Sequence, residues 1–319
     1  MNHLLKSVSI VIPAKNEEEG LKGLLLKLKE HYAHFEIIVV DDGSTDNTAN
    51  IAQTLGATVI SHPYSMGNGA AIKTGARNAH ADVLIFMDAD GQHQVEHLEP
   101  LIQKYQQGYD MVVGARDRSS QANTLRFVGN AFYNRLASLI VGQNVADLTS
   151  GCRIVNAQKF KEFLYMLPNG FSSPTTITMA FFRAGYSVAY TPIDVQKRIG
   201  KSHLKPFKDG IRFLLIIYKM TILYSPIKIF LPLALIHFFA GIANYAYTYS
   251  TQGRFTNMSA VFLSASVIIF LIGLVSEQIT TLLYAHNQQF QPNKKPLKTS
   301  LKKMRKMHVK SLKEIRKNH

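Results

Sequence analysis

The chain has 319 residues, enough for one sizeable α/β domain and a smaller second part. Its formal net charge is +15, but residues 291–319 hold eleven Lys or Arg against one acid and contribute +10 of it. Cys152 is the only cysteine, which excludes an intrachain disulfide and makes a reducing compartment the default expectation. A mildly basic body with a strongly basic arm predicts an anionic partner for the arm.

The first two hundred residues alternate short runs rich in Val and Ile with helical segments. The strand-like runs are SVSIVIPA, FEIIVV, ATVIS, ADVLIFM and DMVVGAR. The first helical segment places Leu21, Leu24, Leu25 and Leu28 on one face. Strands that are nearly continuous in Val and Ile are typical of a parallel sheet that is covered by helices on both faces. The prediction is an α/β fold with a mostly parallel sheet.

Polar residues follow three of these predicted strands. The sequences at the three strand ends are AKNE at 14–17, DDGS at 41–44 and DAD at 88–90. In open α/β sheets, ligands bind outside the carboxyl ends of the strands. The three polar ends therefore predict one ligand-binding crevice at one edge of the sheet.

Asp88 and Asp90 are two residues apart, so on a continuing strand they share a face. Two bare carboxylates about 4 Å apart repel by about 4 kcal/mol at an effective dielectric constant near 20, and a divalent cation removes that cost. Oxygen ligands suit Mg²⁺ or Mn²⁺, and Gln92 can add a carbonyl oxygen. The alternative is a solvated loop with two unrelated acids, because a lone D-x-D is common.

Nucleotide-binding motifs of two other kinds are missing from the sequence. No G-x-x-x-x-G-K-[ST] occurs, and the first strand is followed by Asn and Glu rather than by G-x-G-x-x-G. These two observations disfavour a P-loop enzyme and a dinucleotide-binding enzyme. After the second strand, Asp46 or Asn47 can cap the next helix, but capping does not account for the whole run VVDDGSTDNT.

Two apolar segments near the end, 229–247 and 260–284, reach the roughly 20 residues that a membrane-spanning helix needs. Both outer flanks are rich in Lys while the loop between holds one Arg, which predicts a helical hairpin with cytoplasmic flanks. The alternative is a pair of buried core helices.

Segment 205–224 carries its charged residues in one stripe at helical spacing. This pattern predicts an amphipathic helix that lies in the membrane interface. These charged residues are Lys205, Lys208, Asp209, Arg212 and Lys219.

The predicted organisation has four parts. These are a catalytic domain at 1–204, an interfacial amphipathic helix at 205–226, a transmembrane hairpin at 227–286 and a basic cytoplasmic tail at 287–319.

Five stretches of the sequence resemble one enzyme family. VSIVIPAKNEEEGL, VVDDGSTDNT, MDADGQH and DLTSGCRIVNA resemble motifs of the inverting GT-A glycosyltransferases, in particular the polyprenyl-phosphate sugar synthases such as dolichyl-phosphate mannose synthase. RIGKSHLKPFKDGIRFLLII is similar to the segment that leads into the membrane hairpin of those enzymes. The likeness spans residue 8 to the second hairpin helix. It implies a GT-A-type, Rossmann-like catalytic domain.

The resemblance implies residues for the nucleotide and for its metal. The family's P-x-x-N-E motif and a later aspartate line the base and ribose pocket, and the matching residues are Pro13, Ala14, Asn16, Glu17 and Asp42. The metal and diphosphate motif is matched by Asp88, Asp90 and Gln92. The implied cofactor is Mg²⁺ or Mn²⁺.

The resemblance also implies residues near the sugar and the acceptor. The family's D-x-T-S-G-x-R is matched by Asp147, Ser150, Gly151 and Arg153. Arg198, Gly200, Lys201 and Ser202 match R-x-G-x-S-K, with His203 in place of the last lysine. The implied acceptor-phosphate residues are Arg116, Arg126, Arg198 and Ser202. The implied catalytic set is Asp88, Asp90, Arg116, Asp147, Arg198 and Lys201.

The function that the resemblance implies is transfer of a hexose from a UDP- or GDP-sugar to polyprenyl phosphate, with inversion. The expected protein is integral to the membrane, in a bacterium the inner membrane, with its catalytic domain and both termini cytoplasmic. Expected partners are the nucleotide sugar, polyprenyl phosphate and anionic lipids, with no nucleic acid, and self-association is left open. The alternatives are a glycosyltransferase with another lipid or polysaccharide acceptor, and a phosphatase with a D-x-D-G nucleophile.

Overall fold

The computed structural model of the protein describes residues 7–91, 94–116, 124–170, 172–194, 215, 218–219 and 221–289, with only the backbone for 124–130 and 283–289. The strands are β1 Val8–Ala14, β2 Glu36–Asp41, β3 Thr58–Ser61, β4 Val83–Phe86, β5 Met111–Arg116, β6 Arg153–Asn156 and β7 Val188–Ile193. The helices are α1 Glu18–Tyr32, α2 Thr48–Thr54, α3 Asn68–Asn78, α4 Leu98–Gln106, α5 Thr124–Val141, α6 Ala157–Lys161, α7 Ser173–Arg183, α8 Ile227–Gln252 and α9 Asn257–Gln289. A 3₁₀ turn, Val95–His97, precedes α4.

The strands form one seven-stranded sheet in the order β3-β2-β1-β4-β6-β5-β7. All neighbouring pairs are parallel except those that involve β6, which runs antiparallel to both β4 and β5. The predicted mostly parallel α/β sheet is confirmed. The antiparallel β6 belongs to a stretch for which the sequence predicted no strand.

Helix α1 covers the sheet for the reason that its sequence suggests. Leu21, Leu24, Leu25 and Leu28 are all buried, in a cluster with β-strand residues such as Ile10. Glu18 and Glu19 lie in the first turn, where negative charge interacts favourably with the helix dipole.

Strand burial follows position in the sheet. The central strand β4 is buried at every residue, whereas β3 is exposed at both ends and half-buried between. The expectation of burial on both faces is therefore wrong for β3, because a strand at the sheet edge has a neighbour on one side only.

The two C-terminal helices α8 and α9 are joined by residues 253–256, where Gly253 has φ 66°. Their apolar windows have mean hydropathies of 1.7 and 2.5, yet only 11% and 17% of these windows is buried within the protein. This exposure argues against the alternative of buried core helices. The Oδ1 of Asn244 in α8 accepts hydrogen bonds from Thr256 at 3.2 Å and from Ser259 at 2.9 Å, which close the hairpin.

The predicted domain boundaries remain predictions. Most of the expected interfacial helix at 205–226 and the basic tail from residue 290 onward lie outside the described residues. By internal contacts the chain divides into Met1–Thr280 and Thr281–His319, and of the second unit the structure describes the α9 residues alone.

Candidate active site

The carboxyl ends of the parallel strands and the start of β6 meet at one edge of the sheet. The parallel strands that end there are β1 at Ala14, β2 at Asp41, β4 at Phe86 and β5 at Arg116. Arg153, the first residue of β6, pairs with Phe86 on one side and with Val113 on the other. The antiparallel direction of β6 thereby brings the loop before it, residues 147–152, to the same edge. This edge is the candidate active site.

Hydrogen bonds tie the loop after β1 to the loop after β2. Asn16 has φ 52°, its Oδ1 accepts from the Thr45 N–H at 2.8 Å, and its own N–H donates to Ser44 Oγ at 2.9 Å. The N–H of Glu17 donates to Thr48 Oγ1, at the start of α2, at 3.0 Å. These ties fix the wall of the expected nucleotide pocket. Its five predicted residues lie in or beside these two loops: Pro13, Ala14, Asn16, Glu17 and Asp42.

Asp42 is 4% exposed, and its carboxylate organises the loop of residues 62–67. Oδ1 accepts from His62 Nδ1 and from the Met66 N–H, each at 2.8 Å. Oδ2 accepts from Ser65 Oγ at 2.8 Å and from the Gly67 N–H at 2.9 Å. With four donors already in place, the carboxylate acts on the pocket by shaping this loop, and direct contact with a nucleotide has no support in the geometry.

The charge and tautomer at this position follow from the same contacts. Burial alone would raise the pKa of Asp42, but the hydrogen bonds, led by that from His62, lower the pKa below its ordinary value. Because a carboxylate only accepts, His62 Nδ1 carries a proton and donates it to Asp42, and His62 Nε2 lies 2.9 Å from Thr74 Oγ1. Sequence reasoning missed His62 and Ser65, although the polar run HPYSMG, residues 62–67, directly follows β3.

Asp88 and Asp90 lie beyond β4, which ends at Phe86. The argument that both acids share one face of a strand is therefore wrong in its premise, because neither belongs to the strand. The alternation nevertheless continues in the loop, since Asp88 and Asp90 are half-buried while Ala89 between them is 2% exposed and packs in the core. Both carboxylates are consequently on the accessible side of the loop.

Two glycines make room for this acidic loop. A Cβ on Gly20, in α1, would lie 2.5 Å from the Ala89 carbonyl oxygen. A Cβ on Gly151 would lie 2.2 Å from Asp88 Oδ2. The Asp88 carboxylate therefore rests directly against the backbone of the 147–152 loop, which explains why that loop carries glycine at this point.

Arg116, at the end of β5, is paired with Asp147. Its Nε donates to Asp147 Oδ2 at 2.8 Å and its Nη2 to Asp147 Oδ1 at 3.0 Å, with a further bond to Thr149 Oγ1. The same carboxylate accepts from the N–H groups of Thr149 and Ser150 at 3.0 and 3.1 Å. The fork-shaped pair thus fixes the start of the 147–152 loop.

This pair keeps both groups charged despite burial. Desolvation would raise the pKa of Asp147, but the hydrogen bonds and charge of Arg116 hold the pKa below its ordinary value. Burial likewise works against the Arg116 cation, and Asp147, with a smaller contribution from Asp88, raises the pKa of Arg116 above its usual value. The positive charge of Arg116 is therefore compensated by the Asp147 carboxylate.

Arg153 is 2% exposed and fastens the loop to α7 from inside the domain. Its guanidinium donates to the carbonyl of Ser150, to that of Pro174 at 3.1 Å and to Thr178 Oγ1 at 3.2 Å. Burial lowers the pKa of Arg153 to about 10. Direct contact of Arg153 with a sugar or phosphate has no support in this geometry, and the residue instead positions the loop.

The other predicted residues of this loop are brought to the edge. Ser150 is 2% exposed, and within the described part of the chain its Oγ has no hydrogen-bond partner. Several predicted residues lie outside the described residues: Gln92, Arg198, Lys201 and Ser202. Arg126 lies in α5, of which only the backbone is described at that position.

The donor set at this edge fits a hard divalent cation that is shared with a substrate. Among the described residues, no group of three His, Cys, Asp or Glu side chains could hold a metal ion. Asp88 and Asp90 supply two accessible carboxylates. Mg²⁺ and Mn²⁺ are commonly bound through one or two carboxylates together with substrate phosphates and water, and Asp88 and Asp90 are the residues that could hold such an ion.

An open, mostly parallel sheet with acids at its carboxyl edge, followed in the chain by an apolar hairpin, fits a membrane-bound glycosyltransferase of the GT-A type, but a fold alone does not assign an activity. Residues 9–164 match the family described as glycosyl transferase family 2, and residues 225–282 match the GtrB C-terminal hairpin. The chain belongs to glycosyltransferase family 2, carries a C-terminal hairpin of the GtrB type and is an integral membrane protein.

Named relatives and solved structures agree with this assignment. A dolichyl-phosphate hexose transferase of Haloferax volcanii is 29% identical over 205 residues, 64% of this chain and 89% of the relative. An undecaprenyl-phosphate 4-deoxy-4-formamido-L-arabinose transferase of Shewanella sediminis is 31% identical over 195 residues, 54% of this chain and 58% of the relative. Glucosyl-3-phosphoglycerate synthase of Mycobacterium tuberculosis, solved with Mn²⁺, UDP-glucose and phosphoglyceric acid, shares the fold, with a TM-score of 0.55 and 19% identity over 67% of this chain and 79% of that one.

Proposed function

We propose that the protein transfers a hexose from a UDP- or GDP-sugar to polyprenyl phosphate with inversion, at the cytoplasmic face of the membrane. The observation that carries the proposal is the pair of accessible acids, Asp88 and Asp90, beside the fixed 147–152 loop of a domain that an apolar hairpin follows in the chain. The names of the dolichyl-phosphate and undecaprenyl-phosphate relatives support this class of acceptor.

On the donor side, the tied loops after β1 and β2 would hold the nucleotide, and the acidic loop would meet its diphosphate. Asp88 and Asp90 would hold Mg²⁺ or Mn²⁺, which neutralises the charge of the leaving diphosphate when it is bound. The neighbour solved with Mn²⁺ and UDP-glucose supports this expectation. Asn16 and Glu17 would then act as walls of the pocket, and Asp42 would act through the loop of residues 62–67.

On the acceptor side, the nucleophile would be a lipid phosphate monoester. Its second pKa of about 6 leaves it largely dianionic at pH 7, so it can attack the anomeric carbon without a strong general base. Arg116, held by Asp147, would direct N–H groups at this phosphate. The balancing positive charge would come from Arg126, Arg198 and Lys201, with Ser202 as a hydrogen-bond donor.

The hairpin would hold the catalytic domain at the membrane surface, where the lipid phosphate is. A polyprenyl chain stays in the bilayer, so the cleft must work at the headgroup plane while α8 and α9 anchor it there. The basic arm at 291–319 would add attraction to anionic lipids of about 1 kcal/mol per well-placed cation. This arrangement gives both termini a cytoplasmic position and gives the arm a membrane partner rather than a nucleic acid.

The phosphatase alternative fits the geometry poorly. The nucleophile of a D-x-D-G phosphatase should follow the first strand of its domain. Here the acidic loop follows β4, so three strands of the same sheet precede it in the chain.

The test uses purified protein in nanodiscs that contain a long-chain polyprenyl phosphate, supplied with Mg²⁺ or Mn²⁺. A panel of UDP- and GDP-hexoses is offered, and both the released nucleoside diphosphate and the lipid-linked sugar are measured. We expect acceptor-dependent release from one donor and product with inverted anomeric configuration. Consumption of no donor, or release that is independent of the lipid phosphate, would overturn the proposal.

A further inference from the structure

The second hairpin helix carries an acid that its surroundings do not favour. Glu277 is the one Asp, Glu, Lys or Arg in the sequence of α9, Asn257–Gln289. It lies 20 residues after Asn257, or about 30 Å along the helix, which matches the roughly 30 Å thickness of a bilayer's hydrocarbon core. Glu277 therefore lies inside the apolar segment Asn257–Leu282, toward the end that is nearer the catalytic domain. An acid at this depth requires a partner.

Glu277 uses both of its carboxylate oxygens in the structure. Oε1 lies 3.5 Å from Nη2 of Arg183, the last residue of α7 in the catalytic domain. Oε2 accepts from Ser225 Oγ at 3.4 Å and from the N–H of Ile227 at 3.3 Å. Ile227 is the first residue of α8, where a helix has unsatisfied N–H groups and attracts negative charge. One side chain thus joins both hairpin helices to the catalytic domain.

A second set of contacts crosses the same boundary. Tyr224 Oη donates to the Val141 carbonyl at 3.3 Å, and Lys228 donates to the Ile140 carbonyl, both at the C-terminal end of α5. The guanidinium of Arg183 lies 5.5 Å from the centre of the Tyr224 ring. We call this set of residues the joint: Ile140, Val141, Arg183, Tyr224, Ser225, Ile227, Lys228 and Glu277.

Helix α7 connects the joint to the active site. It has 11 residues, a length of about 16 Å. Near its first turn, Pro174 and Thr178 accept hydrogen bonds from Arg153, which also holds the Ser150 carbonyl of the 147–152 loop. At its last turn, Arg183 meets Glu277. A single rigid helix therefore runs from the loop beside Asp88 to the membrane hairpin.

We infer that Glu277 is a positioning residue: through Arg183 and α7 it fixes the orientation of the active-site edge relative to the membrane, so that a bilayer-held acceptor phosphate reaches the 147–152 loop. This inference rests on the proposed function. It assigns to the hairpin a part in acceptor alignment in addition to anchoring. The Glu277 carboxylate takes no part in the reaction itself.

The experiment compares the full-length wild type with Glu277→Gln and Arg183→Gln in nanodiscs. Each variant removes one charge of the pair. In Glu277→Gln, the new side chain keeps an amide oxygen that can accept from Ser225 and from the Ile227 N–H. The matched control is Lys27→Gln, which breaks the exposed ion pair between Lys27 and Glu96, 3.4 Å apart, on another face of the domain. Each protein is assayed with a long-chain polyprenyl phosphate in the disc and with a short, water-soluble prenyl phosphate.

For both joint variants we expect the KM for the bilayer-held acceptor to rise at least about fivefold, while the donor KM and kcat on the soluble acceptor stay within about twofold. The orientation is measured separately by the distance between spin labels on Gln107→Cys and Ile236→Cys, both exposed positions. The native cysteine, Cys152, is fully buried, so the spin-label reagent reacts with the two introduced cysteines and not with Cys152. We expect a broader distance distribution in Glu277→Gln and an unchanged one in Lys27→Gln.

The outcomes separate the two claims. If the wild type has no activity on either acceptor, the proposed function is overturned. The spin-label distances then still test whether Glu277 fixes the orientation of the catalytic domain relative to the hairpin. A Glu277→Gln protein with wild-type acceptor KM and wild-type distances overturns the inference. Equal loss of kcat on both acceptors at unchanged distances also overturns it, because that pattern marks a local defect.

Discussion

Two acid-bearing loops lie at the same edge of the sheet and use their carboxylates in opposite ways. Asp42, after β2, is 4% exposed and accepts four hydrogen bonds from the loop of residues 62–67. Asp88 and Asp90, after β4, are half-buried on the accessible side of their loop. The acids of one active-site edge thus divide into those that shape it and those that can meet a ligand. The difference in burial separates the two groups.

The largest effect should come from the accessible acids. Asp90→Asn removes a charged ligand for the cation at the donor diphosphate, and we expect a loss of activity of at least about 100-fold with Mg²⁺ or Mn²⁺. Thermal unfolding should be unchanged, because the residue is not part of the core. The comparison variant is Asp82→Asn, an exposed acid just before β4, which should retain full activity. Full activity of Asp90→Asn would remove the basis for the metal assignment.

Gly151→Ala tests the acidic loop without changing any charge. The added methyl group would lie 2.2 Å from Asp88 Oδ2, so the carboxylate must swing away from its present position. We expect activity to fall about 10- to 100-fold, because small displacements of reacting groups are costly. The free energy of unfolding should change by less than about 1 kcal/mol, since the displaced atoms end a side chain that can rotate. Unaltered turnover would mean that the position of Asp88 is not critical.

Arg116→Lys tests the buried Arg–carboxylate pair. Lysine cannot reproduce the fork geometry, so Asp147 loses at least one charge-assisted hydrogen bond, worth about 1.5 to 3 kcal/mol of unfolding free energy. The acceptor KM should rise, while the donor KM stays constant. The pKa of Asp147 should move part of the way back toward its ordinary value, because the side chain of Arg116 contributes most to lowering it and the Thr149 N–H contributes less. If only the donor KM changes, Arg116 acts on the nucleotide sugar and not on the acceptor phosphate, and the prediction is contradicted.

Asp42→Asn should act on stability more than on catalysis. The amide presents N–H groups to a site that already holds four donors, which should cost about 1 to 3 kcal/mol of unfolding free energy. The folded pKa of Asp42 is lowered, so its contribution is present at neutral pH and is lost as pH falls below the ordinary value of 3.8. The variant should therefore show a weaker pH dependence of unfolding in acid, measured by denaturant titration. A dependence equal to that of the wild type would contradict the structural role.

The smallest effect is expected for Ser150→Ala. The Ser150 Oγ is buried without a partner among the described residues, so its removal leaves no further polar group unsatisfied. Unfolding free energy should stay within about 0.5 kcal/mol of the wild type. A fall in stability beyond that range would show that the hydroxyl has a structural partner.

Sequence reasoning predicted the parts of this edge that depend on short-range patterns. The Val- and Ile-rich runs became β1, β2, β4 and β5, and the leucines of α1 are buried as their spacing indicates. The family resemblance named Asp147 and Gly151, both of which lie at the edge. The strands and the buried leucines were predictable because periodicity is a local property of the chain, while the roles that the resemblance gives to Asp147 and Gly151 stay predictions.

What the sequence could not show depends on residues far apart in the chain. The partners of Asp42 lie 20 to 25 residues away, and Asp147 lies 31 residues from Arg116. The direction of β6 is set by pairing with β4 and β5, which no local pattern reveals. For the same reason, Arg153 was expected near the ligand, although the structure buries its guanidinium among backbone carbonyls.

The central claim is that Asp88 and Asp90 receive the donor diphosphate through a divalent cation, whereas Asp42 only shapes the pocket. Calorimetric titration of the full-length protein with UDP or GDP, with and without Mn²⁺, tests it most directly. We expect Mn²⁺ to strengthen binding in the wild type and in Asp42→Asn, and the gain to disappear in Asp88→Asn and Asp90→Asn. A gain that survives in both of these variants and is lost in Asp42→Asn would contradict the account.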